Sequence, residues 1–237
     1  MEGKGKDRMK PYYEHEGIRL FNCDCLPAMK EMPDNAFDLA IVDPPYNVGA
    51  DDGKFGRGGS RAINPDYRDE LRRYPNASEV PPKEYFDSLF RVSKNQIIWG
   101  ANYYPEYLHH SGWIVWDKKK TSGLLSDAEL AFQSFNKVVR IFRHTWEGFK
   151  KGAGSFEQFS TKTIHPNQKP VALYKWLLTK YAKPGQTILD THLGSGSIAI
   201  ACDVFGFDLT AFEIDGEYIE GATDRLKRHR TQTVLPL

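Results

Sequence analysis

Cysteine is scarce in this chain of 237 residues, with Cys23, Cys25 and Cys202 its only three. So small and odd a number excludes a disulfide framework and suits a reducing compartment. Cys23 and Cys25 stand in a C-x-C spacing with no second Cys/His pair nearby, so they read as small buried side chains at a strand end and not as zinc ligands. Long apolar runs are lacking as well. Nothing approaches the roughly eighteen residues that a membrane-spanning helix needs. The opening MEGKGKDRMK is charged and carries no apolar segment of the kind found in secretory signals. The expectation is a cytoplasmic protein with no membrane partner. Net charge is almost absent at +1, so bulk charge announces no polyanionic partner.

What the chain does have is a hydrophobic fraction of 40% and a charged fraction of 27%, enough to bury a sizeable core. The length fits one large domain, or one domain with a small insertion. Charge is unevenly spread. Between Lys137 and Lys169, seven basic residues face only Glu147 and Glu157. His144, Trp146 and Phe149 are interleaved with these cations, a pattern that suits phosphate and base contacts as well as a solvated loop.

Hydrophobic patterning predicts strands at Ile18–Asn22, Phe37–Val42, Gln96–Trp99, Trp113–Trp116, Lys137–His144, Thr187–Asp190 and 208–215. Helices are expected over 82–92, where Tyr85, Phe86, Leu89 and Phe90 recur at helical spacing, and over 169–181, 198–205 and 218–229. Strands alternating with helices argue for an α/β fold built on a doubly wound, mostly parallel sheet. Segments 47–81 and 144–164 are rich in glycine and polar residues and resist assignment. Connections that long inside a domain are usually functional or disordered.

Two motifs carry chemistry. In LAIVDPPYNVG, Leu39–Gly49, an apolar run ends abruptly in Asp43, Pro44, Pro45 and Tyr46. Proline cannot continue a sheet interior, so the carboxylate is left at the rim, where open α/β sheets bind ligands. In DTHLGSGS, which begins at Asp190, a strand gives way to a glycine turn that opens a helix. Backbone amides there can approach a ligand closely. No lysine follows the second glycine, so this is not a Walker loop. About twenty residues on, Glu213 ends the next strand, and a carboxylate at that spacing suits a ribose diol. Together they point to an adenosine-type ligand.

With both motifs in view, the chain resembles the amino-DNA methyltransferases that use S-adenosyl-L-methionine, in the β-class order with DPPY early and the glycine motif late. CDCL at 23–26, IIWGANYY at 97–104, WIVWDK at 113–118 and HPNQKPVAL at 165–173 fit the same pattern. The resemblance spans about residues 18 to 229. It implies a Rossmann-like class I methyltransferase fold, with a seven-stranded mixed sheet and helices on both faces. It also implies one catalytic domain over 1–237, with 47–81 and 144–164 as inserted DNA-recognition elements. Asp24 would meet the adenine of the cofactor, Glu213 the ribose, and the backbone of Gly194, Ser195, Gly196 and Ser197 the methionine part. Asp43, His165 and Lys169 would flank the methionine carboxylate and amine, and Cys25, Asp190 and His192 complete the set. Thr191, His192 and Leu193 depart from the phenylalanine or proline pattern often found there.

The chemistry explains the DPPY residues. An exocyclic amine is a poor nucleophile because its lone pair is conjugated with the ring. Asp43 can accept one N–H and the Pro44 carbonyl the other, which directs lone-pair density at the methyl donor. Pro45 helps to fix the turn, and Tyr46 would stack on a base drawn out of the duplex. No metal is required. Aspartate at the first position favours adenine N6. Cytosine N4 is the alternative, and a silent nucleic-acid-binding protein or an RNA substrate are more distant ones. Double-stranded DNA is the implied partner, with Arg57, Arg61, Arg140, Arg143, Lys150 and Lys151 as candidate contacts. A homodimer and a cognate restriction endonuclease are compatible with the resemblance.

Overall fold

Continuous apolar runs without polar alternation require burial on both faces of a sheet, and the runs of this chain are so placed. The computed structural model describes residues 9–46, 80–109, 112–119, 126–145 and 168–233. In chain order these form β1 (Tyr13–His15), β2 (Ile18–Asn22), α1 (Cys25–Glu31), β3 (Leu39–Val42), α2 (Lys83–Val92), β4 (Gln96–Trp99) and a 3₁₀ turn (Ala101–Tyr103). There follow β5 (Trp113–Asp117), β6 (Ala128–Gln133), β7 (Arg140–Arg143), α3 (Val171–Tyr181), β8 (Thr187–Asp190), α4 (Ser197–Phe205), β9 (Asp208–Glu213) and α5 (Gly216–Thr233).

Among the described residues all nine strands join one sheet, in the order β1-β2-β9-β8-β3-β4-β6-β5-β7. The five from β2 to β4 are mutually parallel, β6 is antiparallel to both its neighbours, and β5 pairs with β7 in parallel. The mixed α/β architecture is as expected, with nine strands in place of seven. The two additions are β1 and β6. The first is three residues long and is joined to β2 by the two-residue turn Glu16–Gly17. The second, AELAFQ, is made largely of helix-favouring residues. Pairing on both sides overrides that local preference.

Alternating residues of each central strand feed two cores. Leu39 and Ile41 pack with Leu173, Leu177, Ile198 and Leu226 under α3, α4 and α5. Ala40 and Val42 pack with Met29, Phe86 and Leu89 under α1 and α2. Each fully buried leucine or isoleucine contributes about 1.5–3 kcal/mol, so the strand ends sit on a stiff platform.

Strand order reverses between β8 and β3, since β8 leads to β9 on one side and β3 to β4 on the other. A crevice at the carboxyl ends of the strands is expected at such a reversal. Asp190 ends β8, Asp43 follows β3, and Glu213 ends β9. The two sequence motifs therefore meet at this point of the fold.

Candidate active site

Asp43 leaves the sheet one residue after β3, and its carboxylate is bound on one side only. The Lys169 ammonium donates to Oδ2. Oδ1 is shielded from water and accepts no hydrogen bond among the described residues. Burial pushes the pKa of this carboxyl up, and the opposing charge of Lys169 only partly offsets it. Lys169 stands just ahead of α3, and its side chain is 2% exposed. Its Nζ is also 3.2 Å from Glu129 Oε2, and Lys118 Nζ is 2.6 Å from Glu129 Oε1. Burial works against the Lys169 charge, but Asp43 and Glu129 outweigh it and hold the ammonium protonated. Lys169 was expected beside the cofactor's methionine end, and its side chain here is engaged by two carboxylates of the chain itself.

The two prolines are fixed by a residue that motif reading did not single out. The Tyr104 hydroxyl lies 2.9 Å from the Pro44 carbonyl and 2.7 Å from that of Pro45, donating to this pair of acceptors. A carbonyl oxygen has two lone pairs, so Pro44 retains one for a further donor. Tyr46 stacks on Tyr103, with centroids 4.5 Å apart and planes inclined by 7°. Tyr103 thus covers one face of the Tyr46 ring.

Gly100, which follows β4 at φ +71°, makes room for that ring: a Cβ there would come within 2.5 Å of Tyr46. Both the left-handed backbone and the close approach require glycine. Gly100→Ala is expected to cost about 1–3 kcal/mol in stability and to lower activity more than the stability loss explains, because Tyr46 must shift. Denaturant melts run beside single-turnover assays measure the two effects separately.

The glycine turn after β8 is held from below. Gly194 N–H donates to Glu213 Oε2 at 2.8 Å, and Asp215 N–H donates to Oε1 at 3.0 Å. Gly196, at φ +72°, caps α4 and packs so close to α5 that a Cβ would lie 2.9 Å from Ala222. Ser195 and Ser197, expected to border the cofactor through their backbone, have buried side chains that belong to the support. Arg225 of α5 donates to the Ser195 carbonyl at 2.9 Å and to Ser197 Oγ at 2.8 Å, and Ser197 Oγ donates to the Lys169 carbonyl at 2.7 Å. One buried arginine thus ties the glycine turn to the residue that grips Asp43. No spacing rule marks Arg225 within a helix rich in basic residues.

Asp190 is buried, and burial pushes its carboxyl up to about 8 although the His192 amide donates to it at 3.0 Å. Burial likewise drives His192 down to about 4, against the pull of Asp24, so the imidazole is neutral near pH 7. Its Nδ1 lies 2.9 Å from Thr191 Oγ1, which bonds the Tyr85 hydroxyl at 2.7 Å. Asp24 caps α1 by accepting from Leu26 N–H at 2.9 Å. Cys25, the first residue of α1, is buried in the core, and burial pushes its thiol up to about 12.

The basic candidates divide. Arg143 ends β7 on the same rim as Asp43 and lies 3.4 Å from Asp117. Arg140 begins that strand, roughly 10 Å away at the usual rise per residue, and its odd offset from Arg143 directs it to the opposite face. The two do not form one surface. His165, Arg57, Arg61, Lys150 and Lys151 lie outside the described residues.

Comparison with known proteins bears on this geometry. The family of N6/N4 methyltransferases, described as DNA methylase, matches residues 86–224, more than half of the chain. The type II methyltransferase M.HpaI of Haemophilus parainfluenzae is 25% identical over 245 residues, which cover 88% of this chain and 74% of that protein. M.ScaI of Streptomyces caespitosus is 22% identical over 92% of this chain and 84% of its own length. Two solved structures share the fold. The M1.HpyAVI–SAM complex has a TM-score of 0.54 at 19% identity, covering 88% of this chain and all of that one. The cytosine-N4-specific PvuII DNA methyltransferase has a TM-score of 0.61 at 11% identity, covering 94% of each chain.

Proposed function

Because the chain belongs to the N6/N4 DNA methylase family, we propose that it methylates the exocyclic N6 amine of adenine in double-stranded DNA, taking the methyl group from S-adenosyl-L-methionine. The observation that carries the reading is the divided state of Asp43: Oδ2 is held by Lys169, while Oδ1 is buried and accepts no hydrogen bond among the described residues, which leaves it an unfilled acceptor for a base amine. The Pro44 carbonyl, oriented by Tyr104, supplies the second acceptor. With one N–H on each oxygen, the amine nitrogen turns its lone pair away from ring conjugation and toward the crevice.

The crevice fits the cofactor. Each Glu213 oxygen receives one backbone amide and keeps lone-pair capacity for a ribose hydroxyl. The Gly194 turn lies at the start of the nine-residue helix α4. A neutral His192 places no positive charge beside a sulfonium. When bound, the cofactor supplies an activated methyl carbon. After transfer, the methylated amine is acidic, and Asp43 is placed to take its proton.

Aspartate at the head of the tetrapeptide favours adenine over cytosine. The likeness to two type II methyltransferases supports modification at a specific site, with a restriction endonuclease as counterpart. Arg143, on the catalytic rim, together with 47–81 and 144–164, would contact the duplex. The deciding experiment incubates the protein with labelled cofactor and mixed-sequence duplex DNA, digests to nucleosides and identifies the product by mass. N6-methyl-2′-deoxyadenosine is the expected product. N4-methyl-2′-deoxycytidine would reassign the base, and no labelled nucleoside at all would overturn the reading.

A further inference from the structure

Beyond Asp43 and Lys169 the rim holds two charges that the proposed reaction does not touch. Glu129 opens β6 with its side chain 20% exposed, and Lys118 follows β5 at 12%. Glu129 Oε1 is 2.6 Å from Lys118 Nζ, Glu129 Oε2 is 3.2 Å from Lys169 Nζ, and Lys169 in turn grips Asp43. The result is an alternating row, carboxylate, ammonium, carboxylate, ammonium, that crosses from β3 to the end of β5.

We infer that Glu129 and Lys118 are positioning residues for methyl transfer: Glu129, acting through Lys169, keeps one Asp43 oxygen anchored and the other an unfilled acceptor for the amine, while Lys118 holds Glu129 charged and offsets its pull against the ionised Asp43 carboxylate. Without a second anion, Lys169 could swing wholly onto Asp43 and span both of its oxygens, closing the acceptor that the amine needs. Glu129 draws the ammonium to the Oδ2 side. Lys118 keeps Glu129 charged in turn, since burial alone would favour its neutral form but both ammonium groups hold its carboxyl below the ordinary range. The row balances two charges of each sign, so neither end is left uncompensated in a low-dielectric site.

The charges felt at Asp43 are those of Lys169 before α3, Glu129 on β6 and Lys118 after β5, and the buried ionisable groups of Tyr174 on α3, Tyr104 after β4 and Asp190 on β8 also face it. Only Glu129 and Lys118 can be altered without touching the cofactor crevice or the DPPY turn. Their effects on Asp43 have opposite sign. Removing the anion stabilises ionised Asp43, and removing the distal cation destabilises it.

The inference rests on the proposed reading of Asp43, so the test has one readout that needs no activity. The Asp43 carboxyl is titrated by ¹³C NMR in protein labelled at aspartate, with Asp43→Asn giving the assignment. Glu129→Gln is expected to move its midpoint to lower pH, and Lys118→Gln to higher pH, each by about half a unit or more. The acid limb of kcat should move the same way in each variant. KM for the cofactor should stay within about twofold, and kcat at the pH optimum should fall about tenfold or more in Glu129→Gln, as Lys169 closes on Asp43. Midpoints that stay put, or move in the same direction in both variants, would overturn the inference and leave the row as plain support. If Glu129→Gln does not fold, Lys118→Gln alone decides by the same criterion. A wild type that methylates no DNA base would count against the functional reading, while the NMR midpoints would still judge the row.

Discussion

Asp43→Ala is expected to abolish methyl transfer, lowering kcat by roughly 10³-fold or more, while the protein still folds and binds its cofactor within a few-fold of wild type. The substitution removes the acceptor at Oδ1 and so the alignment of the amine. Breaking a buried ion pair commonly costs about 3–5 kcal/mol because a charge is left orphaned. Here Lys169 keeps Glu129 at 3.2 Å, so the penalty should be well below that range. Asp43→Asn sharpens the test. Its amide must turn its NH₂ either toward the Lys169 ammonium or toward the incoming amine, and each choice sets donor against donor. Asparagine is therefore expected to rescue little, despite its matching size. Single-turnover transfer of labelled methyl, with circular-dichroism melts alongside, measures both consequences. Retention of more than a tenth of wild-type activity by Asp43→Ala would remove Asp43 from the chemistry.

Much of this site could be read from spacing alone, and what escaped did so for physical reasons. An apolar run that stops at two prolines has to end a strand, so the place of Asp43 at a sheet rim followed from backbone chemistry. A strand, a glycine turn, a helix and a strand ending in an acid placed Glu213 by geometry common to nucleoside sites. Glu129 had no such signature. It lies in AELAFQ, whose residues favour a helix, and only insertion between β4 and β5 makes that stretch a strand and turns its one acid toward Lys169. Tyr104 and Lys118 stood inside quoted motifs, yet their roles depend on partners about sixty and eleven residues away, beyond any local pattern. The same holds for β1, which is too short to show periodicity and exists because β2 offers it an edge. Sequence thus shows what terminates an element. It shows much less of which distant side chains share the terminus.

The second large effect is expected at Glu213, and it should fall on binding rather than on the chemical step. Glu213→Ala is expected to weaken cofactor binding about 10²-fold or more, with kcat at saturating cofactor near that of wild type. Two losses add. The proposed acceptors for the ribose hydroxyls disappear, and the amides of Gly194 and Asp215 lose the carboxylate that fixes them. A buried donor left without a partner costs about 1–3 kcal/mol, so the glycine turn should slacken at its first residue, and the preorganised amides facing the ligand would disperse. Glu213→Gln should lie between alanine and wild type. One of its two polar atoms still accepts, while the other becomes a donor pointed at a backbone N–H. Calorimetric titration of the cofactor into each variant, set beside steady-state KM and kcat, separates this pattern from that of Asp43→Ala, where binding persists and turnover is lost. If Glu213→Ala bound the cofactor within threefold of wild type, the carboxylate would be a brace for the turn and the ribose would have to be held elsewhere.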